Sequence, residues 1–393
     1  MTEQRTRVVV VGGGYAGVIA ANHLRLRPDV QITLVNPRPE FVERIRLHQL
    51  VTGSDDAVVA YTDILGEGIR LVVDAVTRID TQARKVELFN GSPDGEALPY
   101  DYLIYAVGSG SAHPTAVGAD EFAYPIADLE EARRLAGALD QVHHGAPVCV
   151  VGAGPTGIET AAELAEQGRT VTLVCGAVLG PYLSTPGRRS VAKRLRKLGV
   201  EIVDGPGAMV SAVSADAVTL QDGRQLPSAV TIWTAGFGVP DLAARSGLRT
   251  DAIGRLLTDE TLTSVDDDRI VAAGDAAAPS GDPLRMSCQA AIPLGAQAAN
   301  TVLARIAGTT PAVINQAFTG QCISLGRGGA TVQIARTDDT PLPLYVGGRA
   351  AATIKEAVCK GTVSFLRREA RKPGSYFWLK GGKRPEPQAV DAP

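Results

Sequence analysis

Two stretches of this chain share one pattern of apolar and polar positions. Val8-Val9-Val10-Val11 is an unbroken β-branched run followed by Gly12-Gly13-Gly14-Tyr15-Ala16-Gly17. About 140 positions later Val148-Cys149-Val150-Val151 leads into Gly152-Ala153-Gly154-Pro155-Thr156-Gly157 and then Ile158, Ala161, Ala162 and Ala165. A short apolar run without alternation predicts a strand covered on both faces, and the helical period after the glycines predicts a helix. With Ile32-Thr33-Leu34-Val35 as a second strand, Arg7 to about Val35 reads as a parallel βαβ unit, and Val148 to Val174 reads as another.

The segments after each unit also run in parallel. Leu71-Val72-Val73 and Lys85 to Phe89, with turn residues Asn90 to Gly95, predict a small antiparallel insertion before the apolar run Tyr102 to Gly108. After the second unit come a basic helix from Arg188 to Leu198, an antiparallel piece at Ala217 to Leu220 with the turn Asp222-Gly223, and the run Val230 to Gly236. The chain then gives Arg269 to Asp275, a helical run from Ile292 to Arg305, and a strand-rich, then helical, C-terminal part. The tail around Pro385, Pro387 and Pro393 is expected to be mobile.

Length and composition narrow the classes. At 393 residues the chain can hold two or three cores, and 45 % hydrophobic, 21 % charged residues and 43 glycines fit an ordered α/β protein rich in tight turns. A net charge of −3 supplies no field for nucleic acid, which is excluded as a partner. The apolar run near the N-terminus is too short for a secretory signal and no segment reaches membrane-span length, so the cytoplasm is the expected location. The five cysteines show no CxxC and the five histidines do not cluster at ligand spacing, so no metal is expected.

The glycine pattern carries the chemistry. GxGxxG between a strand and a helix lets the backbone turn tightly and approach a pyrophosphate, whose charge is stabilised by the unpaired N–H groups at the helix start. Two copies imply two dinucleotides, and two dinucleotides imply electron transfer between them.

In order along the chain, both fingerprints, Tyr102-Leu103-Ile104-Tyr105-Ala106-Val107-Gly108, Trp233-Thr234-Ala235-Gly236 and Ala273-Gly274-Asp275 resemble the FAD-dependent pyridine nucleotide:disulfide oxidoreductase superfamily. Within it the chain looks most like type II NADH:quinone oxidoreductases and apoptosis-inducing-factor-like reductases. The resemblance implies an α/β fold with two Rossmann-like dinucleotide-binding domains and a small C-terminal α+β region. The implied boundaries are 1–120 with 256–316 for FAD, 121–255 for NAD(P)H, and 317–393 for the C-terminal subdomain.

Residue by residue, the resemblance puts the FAD pyrophosphate on Gly12, Gly14, Tyr15, Ala16 and Gly17, and the adenosine ribose on Asn36, where relatives usually carry a carboxylate. It puts Val76 at the adenine, Ala106, Val107 and Gly108 beside the flavin, and Gly274 and Asp275 at the ribityl chain. Of Arg44, Arg46 and His48, one is expected to contact FAD. The second fingerprint would hold NADH or NADPH through Gly152, Gly154, Pro155, Thr156 and Gly157, with Ala235 and Gly236 nearby. Its strand-closing residue is Cys175, so the carboxylate that rejects NADPH in relatives is missing, while Arg188 and Arg189 are available to a 2′-phosphate; the choice of nucleotide stays open.

The candidate catalytic residues are Glu159, which in relatives points toward flavin and nicotinamide, and Gln289. The segment Cys288-Gln289-Ala290-Ala291-Ile292-Pro293 aligns with the family's quinone-contact signature, keeping the first glutamine and replacing the second by Pro293. The redox cysteine pair of disulfide reductases is absent after Asn36, which leaves a direct route from flavin to a small acceptor, a quinone being the first choice. A soluble flavoprotein reductase serving an electron carrier, and a redox-responsive FAD-binding protein with poor turnover, are the alternatives. Eight Lys/Arg interleaved with aromatic residues from Lys360 onward fit a docked C-terminal subdomain, since Pro373-Gly374 breaks any long amphipathic helix, or a peripheral seat on the inner face of the membrane, and a homodimer stays open.

Overall fold

The computed structural model describes residues 5–90, 97–382 and 384. Val8 to Val11 form the core of strand β1 (Thr6–Val11) and are almost fully buried, as an apolar run without alternation requires. Helix α1 (Tyr15–Leu24) is buried along its whole length. It is followed by β2 (Val30–Asn36), the short helix α2 (Leu47–Val51), β3 (Ile69–Val73) and β4 (Tyr102–Tyr105).

The second copy runs through β5 (Ala123–Pro125), β6 (Pro147–Val151), α3 (Pro155–Glu166), β7 (Thr170–Gly176), α4 (Thr185–Lys197), β8 (Glu201–Asp204) and β9 (Val230–Trp233). Then come β10 (Ile270–Ala272), the long helix α5 (Cys288–Ile306), an antiparallel trio β11 (Gly320–Ser324), β12 (Ala330–Ala335) and β13 (Pro341–Gly347), and the terminal helix α6 (Gly348–Arg371).

These strands make two parallel five-stranded sheets on one plan. The first has the order β10-β4-β1-β2-β3 and the second β5-β9-β6-β7-β8, so β1 and β6 occupy the same central place, each ending in its glycine turn. One strand sits differently from its expected place. Leu71-Val72-Val73 belongs to β3, the parallel edge of the first sheet, in register with Leu34 to Asn36 of β2. The antiparallel insertion is built instead from Val76–Asp80, Lys85–Leu88 and Leu98–Pro99. The run is half exposed, with Val73 47 % accessible, and an edge strand of that kind has the same apolar pattern as a hairpin strand. Most of the expected turn before Tyr100 (residues 91–96) and the proline-rich tail lie outside the described residues.

Small residues let α1 and α5 approach closely. A Cβ on Gly295 would land on the Ala16 carbonyl oxygen, and Ala16, Ala20 and Ala21 are buried at this seam. The segment after α6 is fastened to the same helices by a buried carboxylate. Glu369 accepts hydrogen bonds from His23 Nδ1 (2.6 Å) and from the backbone N–H groups of Gly374 (2.6 Å) and Tyr376 (2.7 Å), while His23 Nε2 meets Asn300 Oδ1 at 3.0 Å. Burial alone would raise this carboxyl, but His23 and the two N–H groups outweigh it and hold it below the usual range.

Candidate functional site

At the carboxyl end of the first sheet lies an open cleft of about 800 Å³ counted to its solvent mouth. Its floor is the first glycine turn. Gly12 has φ +105°, and a Cβ there would fall on the carbonyl oxygen of Ala106, so only glycine lets β1 leave the sheet this close to β4. Gly17 packs its Cα face on the Gly12 carbonyl in the same way and serves the turn from beneath.

The cleft gathers Gly12, Gly14, Tyr15, Ala16, Asn36, Arg44, Ala106, Val107, Gly108, Gly274 and Asp275 from the expected positions. Sequence reasoning missed Arg38, Tyr61, Ser109 and the stretch Ala127 to Leu129, which also line it. Gln289, Ala290, Val76 and His48 are outside that lining. Gln289 is seated on Thr319, with its amide best oriented to donate to the Gly320 carbonyl (2.9 Å) and accept from Thr319 Oγ1 (2.8 Å).

Asn36 explains its own departure from a carboxylate. Its Oδ1 accepts from the Gly13 N–H (2.9 Å) and its Nδ2 donates to the Arg38 carbonyl (2.9 Å), a second bond that a carboxylate cannot make. Tyr61 donates to the Gly13 carbonyl at 2.8 Å from the other side. Across the cleft Ser109 Oγ donates to Asp275 Oδ2 (2.7 Å) and accepts from Arg44 Nη1 (3.0 Å), which itself lies 3.6 Å from Asp275. Of the three basic residues expected near flavin, Arg44 faces the cleft. Arg46 turns the other way, to Gln49 and to Glu356 of α6.

The cleft fits the dinucleotide that its fingerprint implies. The first turn of α1 begins at Gly14 without a side-chain cap, and α3 begins likewise at Gly154, whereas Ser184 and Ser287 cap α4 and α5. The two fingerprint helices thus keep free N–H groups and the positive end of their dipole for an anion. The hydroxyl of Tyr15 is buried with no partner.

The second fingerprint repeats the construction. Gly152 has φ +125°, and a Cβ there would strike Thr234, the residue before Ala235 and Gly236. Gly154, Pro155, Thr156 and Gly157 open α3, and Cys175 stands at the end of β7 as Asn36 does at the end of β2. Cys175 is buried, and burial pushes its thiol up to about 12.

Glu159, one turn into α3, is the centre of a buried polar cluster. Its Oε1 is 2.8 Å from Lys355 Nζ of α6 and accepts from the Ser324 N–H at 2.9 Å; its Oε2 is 3.7 Å from His48 Nδ1. Burial would raise the carboxyl, but Lys355 and the Ser324 N–H prevail and leave it below the ordinary carboxylate range. Burial would likewise lower Lys355, yet the Glu159 charge drives its pKa upward. Burial lowers His48 to about 4, so this imidazole is neutral near pH 7, and its Nε2 has no partner. Glu159 and Lys355 are therefore held as an ion pair joining the second fingerprint helix to the C-terminal helix.

All five cysteines are free and none lines the cleft. Burial raises every one of these thiols, Cys149 to about 12 and Cys359 to about 11, so little thiolate exists near neutral pH. Among the described residues no cluster suits a metal ion, and no helix is long and apolar enough to cross a membrane.

Residues 6–295 match the model of the family described as pyridine nucleotide-disulphide oxidoreductase. The chain is 32 % identical over 328 residues to an NADH dehydrogenase-like protein of Mycobacterium tuberculosis, spanning 76 % of this chain and 80 % of that one. It is 31 % identical over 354 residues to a type II NADH:quinone oxidoreductase of the same organism, spanning 79 % and 74 %. Its fold is similar to that of the sulfide:quinone oxidoreductase of Aquifex aeolicus, with TM-score 0.78 at 21 % identity over 94 % of this chain and 93 % of that one.

Proposed function

Because this chain belongs to the FAD-dependent pyridine nucleotide-disulphide oxidoreductase family, we propose that it is an NAD(P)H dehydrogenase that delivers two electrons directly to a small acceptor, a quinone by preference. The observation that carries this reading is the pair of glycine turns, each too tight for a Cβ and each opening an uncapped helix. Bound FAD would supply the chemistry of accepting hydride and releasing the electrons to the second substrate.

The chain's own residues bind, orient and hold protons. The α1 N–H groups and Gly12 to Ala16 would hold the pyrophosphate, and Asn36 fixes the loop that presents the ribose. Arg44, Ser109 and Asp275 form a hydrogen-bonded bridge whose free valences suit a polyhydroxyl chain. The second fingerprint, Gly152 to Gly157, would hold NAD(P)H and set its ring at hydride-transfer distance. A cleft lined without cysteine argues against a sulfur relay.

Glu159 and Lys355 keep a proton at Lys355 Nζ beside a neutral His48. We assign the pair to positioning the nicotinamide and to proton delivery during acceptor reduction. Glu159→Gln is expected to retain FAD but to lower the quinone reduction rate by about a hundredfold or more, a typical acid–base contribution. A variant that turns over at the wild-type rate eliminates this role.

A soluble reductase for an electron carrier is the second reading. It is favoured by Gln289 being bound to Thr319 and Gly320, with Pro293 inside α5 where relatives place a second glutamine. A panel of quinones and carrier proteins as acceptors separates the two. A peripheral membrane seat belongs to the first reading. Ile354, Val358 and Phe365 lie exposed along one stripe of α6, and Phe377 and Leu379 are exposed beyond it. Phe377→Ser/Leu379→Ser is expected to weaken flotation with anionic vesicles, and equal flotation of both proteins dismisses the membrane seat. Cutting the chain at residue 360 is unsuitable, because it would remove the buried Val363, Leu366 and Glu369.

A further inference from the structure

A nucleotide held by the second fingerprint would place its adenosine ribose at the carboxyl end of β7, next to the end of β8. That end brings no charge. Cys175 turns its Sγ toward the Leu173 carbonyl (3.8 Å) and is a neutral thiol, and Gly176, at φ +64°, has no side chain. The charge comes from the neighbouring strand. Gly176 is in register with Asp204, the last residue of β8, and the Gly205 N–H donates to the carbonyls of Gly176 (3.1 Å) and Ala177 (3.2 Å), which ties the two strand ends together. Asp204 is exposed and makes no side-chain hydrogen bond or ion pair among the described residues.

Arg188 and Arg224 have partners of their own, whereas Arg189 is exposed. Arg188 donates to the Leu183 carbonyl at 3.2 Å, and the first turn of α4 that carries Arg188 and Arg189 docks on Gln333 through Ser184 (2.7 Å). Arg224 is paired with Asp222 at 2.8 Å. Asp204 is thus an exposed carboxylate beside the ribose end of the site, unpartnered among the described residues, and Arg189 is the exposed cation on α4 that the test separates from it.

Resting on the functional reading above, we propose that Asp204 is the specificity-determining residue for the nucleotide and makes this site selective for NADH. It does one strand over what the strand-closing carboxylate does elsewhere. Its charge opposes the doubly negative 2′-phosphate of NADPH and leaves a free acceptor for the 2′-hydroxyl of NADH.

The test measures kcat/KM and Kd for NADH and NADPH on the FAD-loaded protein and on Asp204→Asn and Arg188→Gln/Arg189→Gln variants, at low and high salt. NADH is expected to be preferred by about tenfold or more at low salt, the gap narrowing as salt screens the charge. Asp204→Asn should shrink the preference by about fivefold, chiefly through KM and Kd for NADPH, the size expected of one screened charge interaction. The arginine pair should leave the ratio unmoved. Equal use of the two nucleotides by the wild-type protein, an unchanged ratio in Asp204→Asn, or loss of NADPH binding in the arginine variant overturns the proposal while sparing the reading of the site. Failure of both nucleotides to bind overturns that reading as well.

Discussion

Replacing Lys355 by methionine is expected to destabilise the protein by about 3–5 kcal/mol near neutral pH, because it strands the buried Glu159 carboxylate with only the Ser324 N–H and a neutral imidazole for company. The paired double variant Glu159→Gln/Lys355→Met is expected to recover most of that loss, since it removes the uncompensated charge along with its partner. The pH dependence has a defined sign. In the wild type the Glu159 pKa is depressed and that of Lys355 is raised. The pair's contribution is therefore lost only as pH falls through the low folded value of the acid or rises through the high folded value of the amine.

In Lys355→Met the balance reverses. Burial then raises the carboxyl, and a raised acid costs stability above its unfolded pKa. The deficit should be greatest at neutral pH and shrink as the solution is acidified and Glu159 takes up a proton. Urea unfolding of the three proteins between about pH 5 and pH 8 reads this directly. An equal deficit in the single and double variants, independent of pH, would show that Lys355 acts through packing alone.

Gly12→Ala should yield a colourless protein. The added methyl group meets the Ala106 carbonyl, with the Cα of Val107 at 3.0 Å behind it, and the residue is also forced to a φ of +105° that L side chains avoid. Neither neighbour can yield without pulling β4 away from β1. A loss of at least about 3 kcal/mol, or a hundredfold in FAD affinity, is the expected scale. Two companion variants localise the effect. A Cβ on Gly14 meets nothing within 4 Å, so Gly14→Ala should fold normally and weaken FAD only through the space it takes. Gly152→Ala carries the same strain against Thr234 in the other sheet, so it should keep its yellow colour and lose nucleotide binding. Full flavin content in Gly12→Ala would contradict the assignment of the first cleft.

The readable parts of this molecule were those set by local chemistry. Val8 to Val11 and Val148 to Val151 are valine-rich apolar runs, each followed by GxGxxG, so the central strand of each sheet and its turn are legible from the chain alone. The edge position of Leu71 to Val73 was not, because the apolar pattern of an edge strand is the same in parallel and antiparallel pairing. Lys355 gave no signal either. It sits in a helix with basic residues on both sides, and its partner lies nearly two hundred positions upstream, so only folding reveals that this lysine is buried. Glu369 is hidden for the same reason, its main partner being His23 on α1. Asn36 reads as a weakened carboxylate until its second hydrogen bond, to the Arg38 carbonyl, gives the amide a purpose of its own.

Anaerobic mixing of the purified, FAD-loaded protein with NADH, followed at the visible flavin band before and after alkylation of its thiols, shows whether electrons reach the acceptor through flavin without sulfur. Rapid bleaching in both samples and return of the band on adding a quinone are expected. Protein that cannot be loaded with flavin, or bleaching and acceptor reduction that vanish on alkylation while both ligands stay bound, would contradict that route.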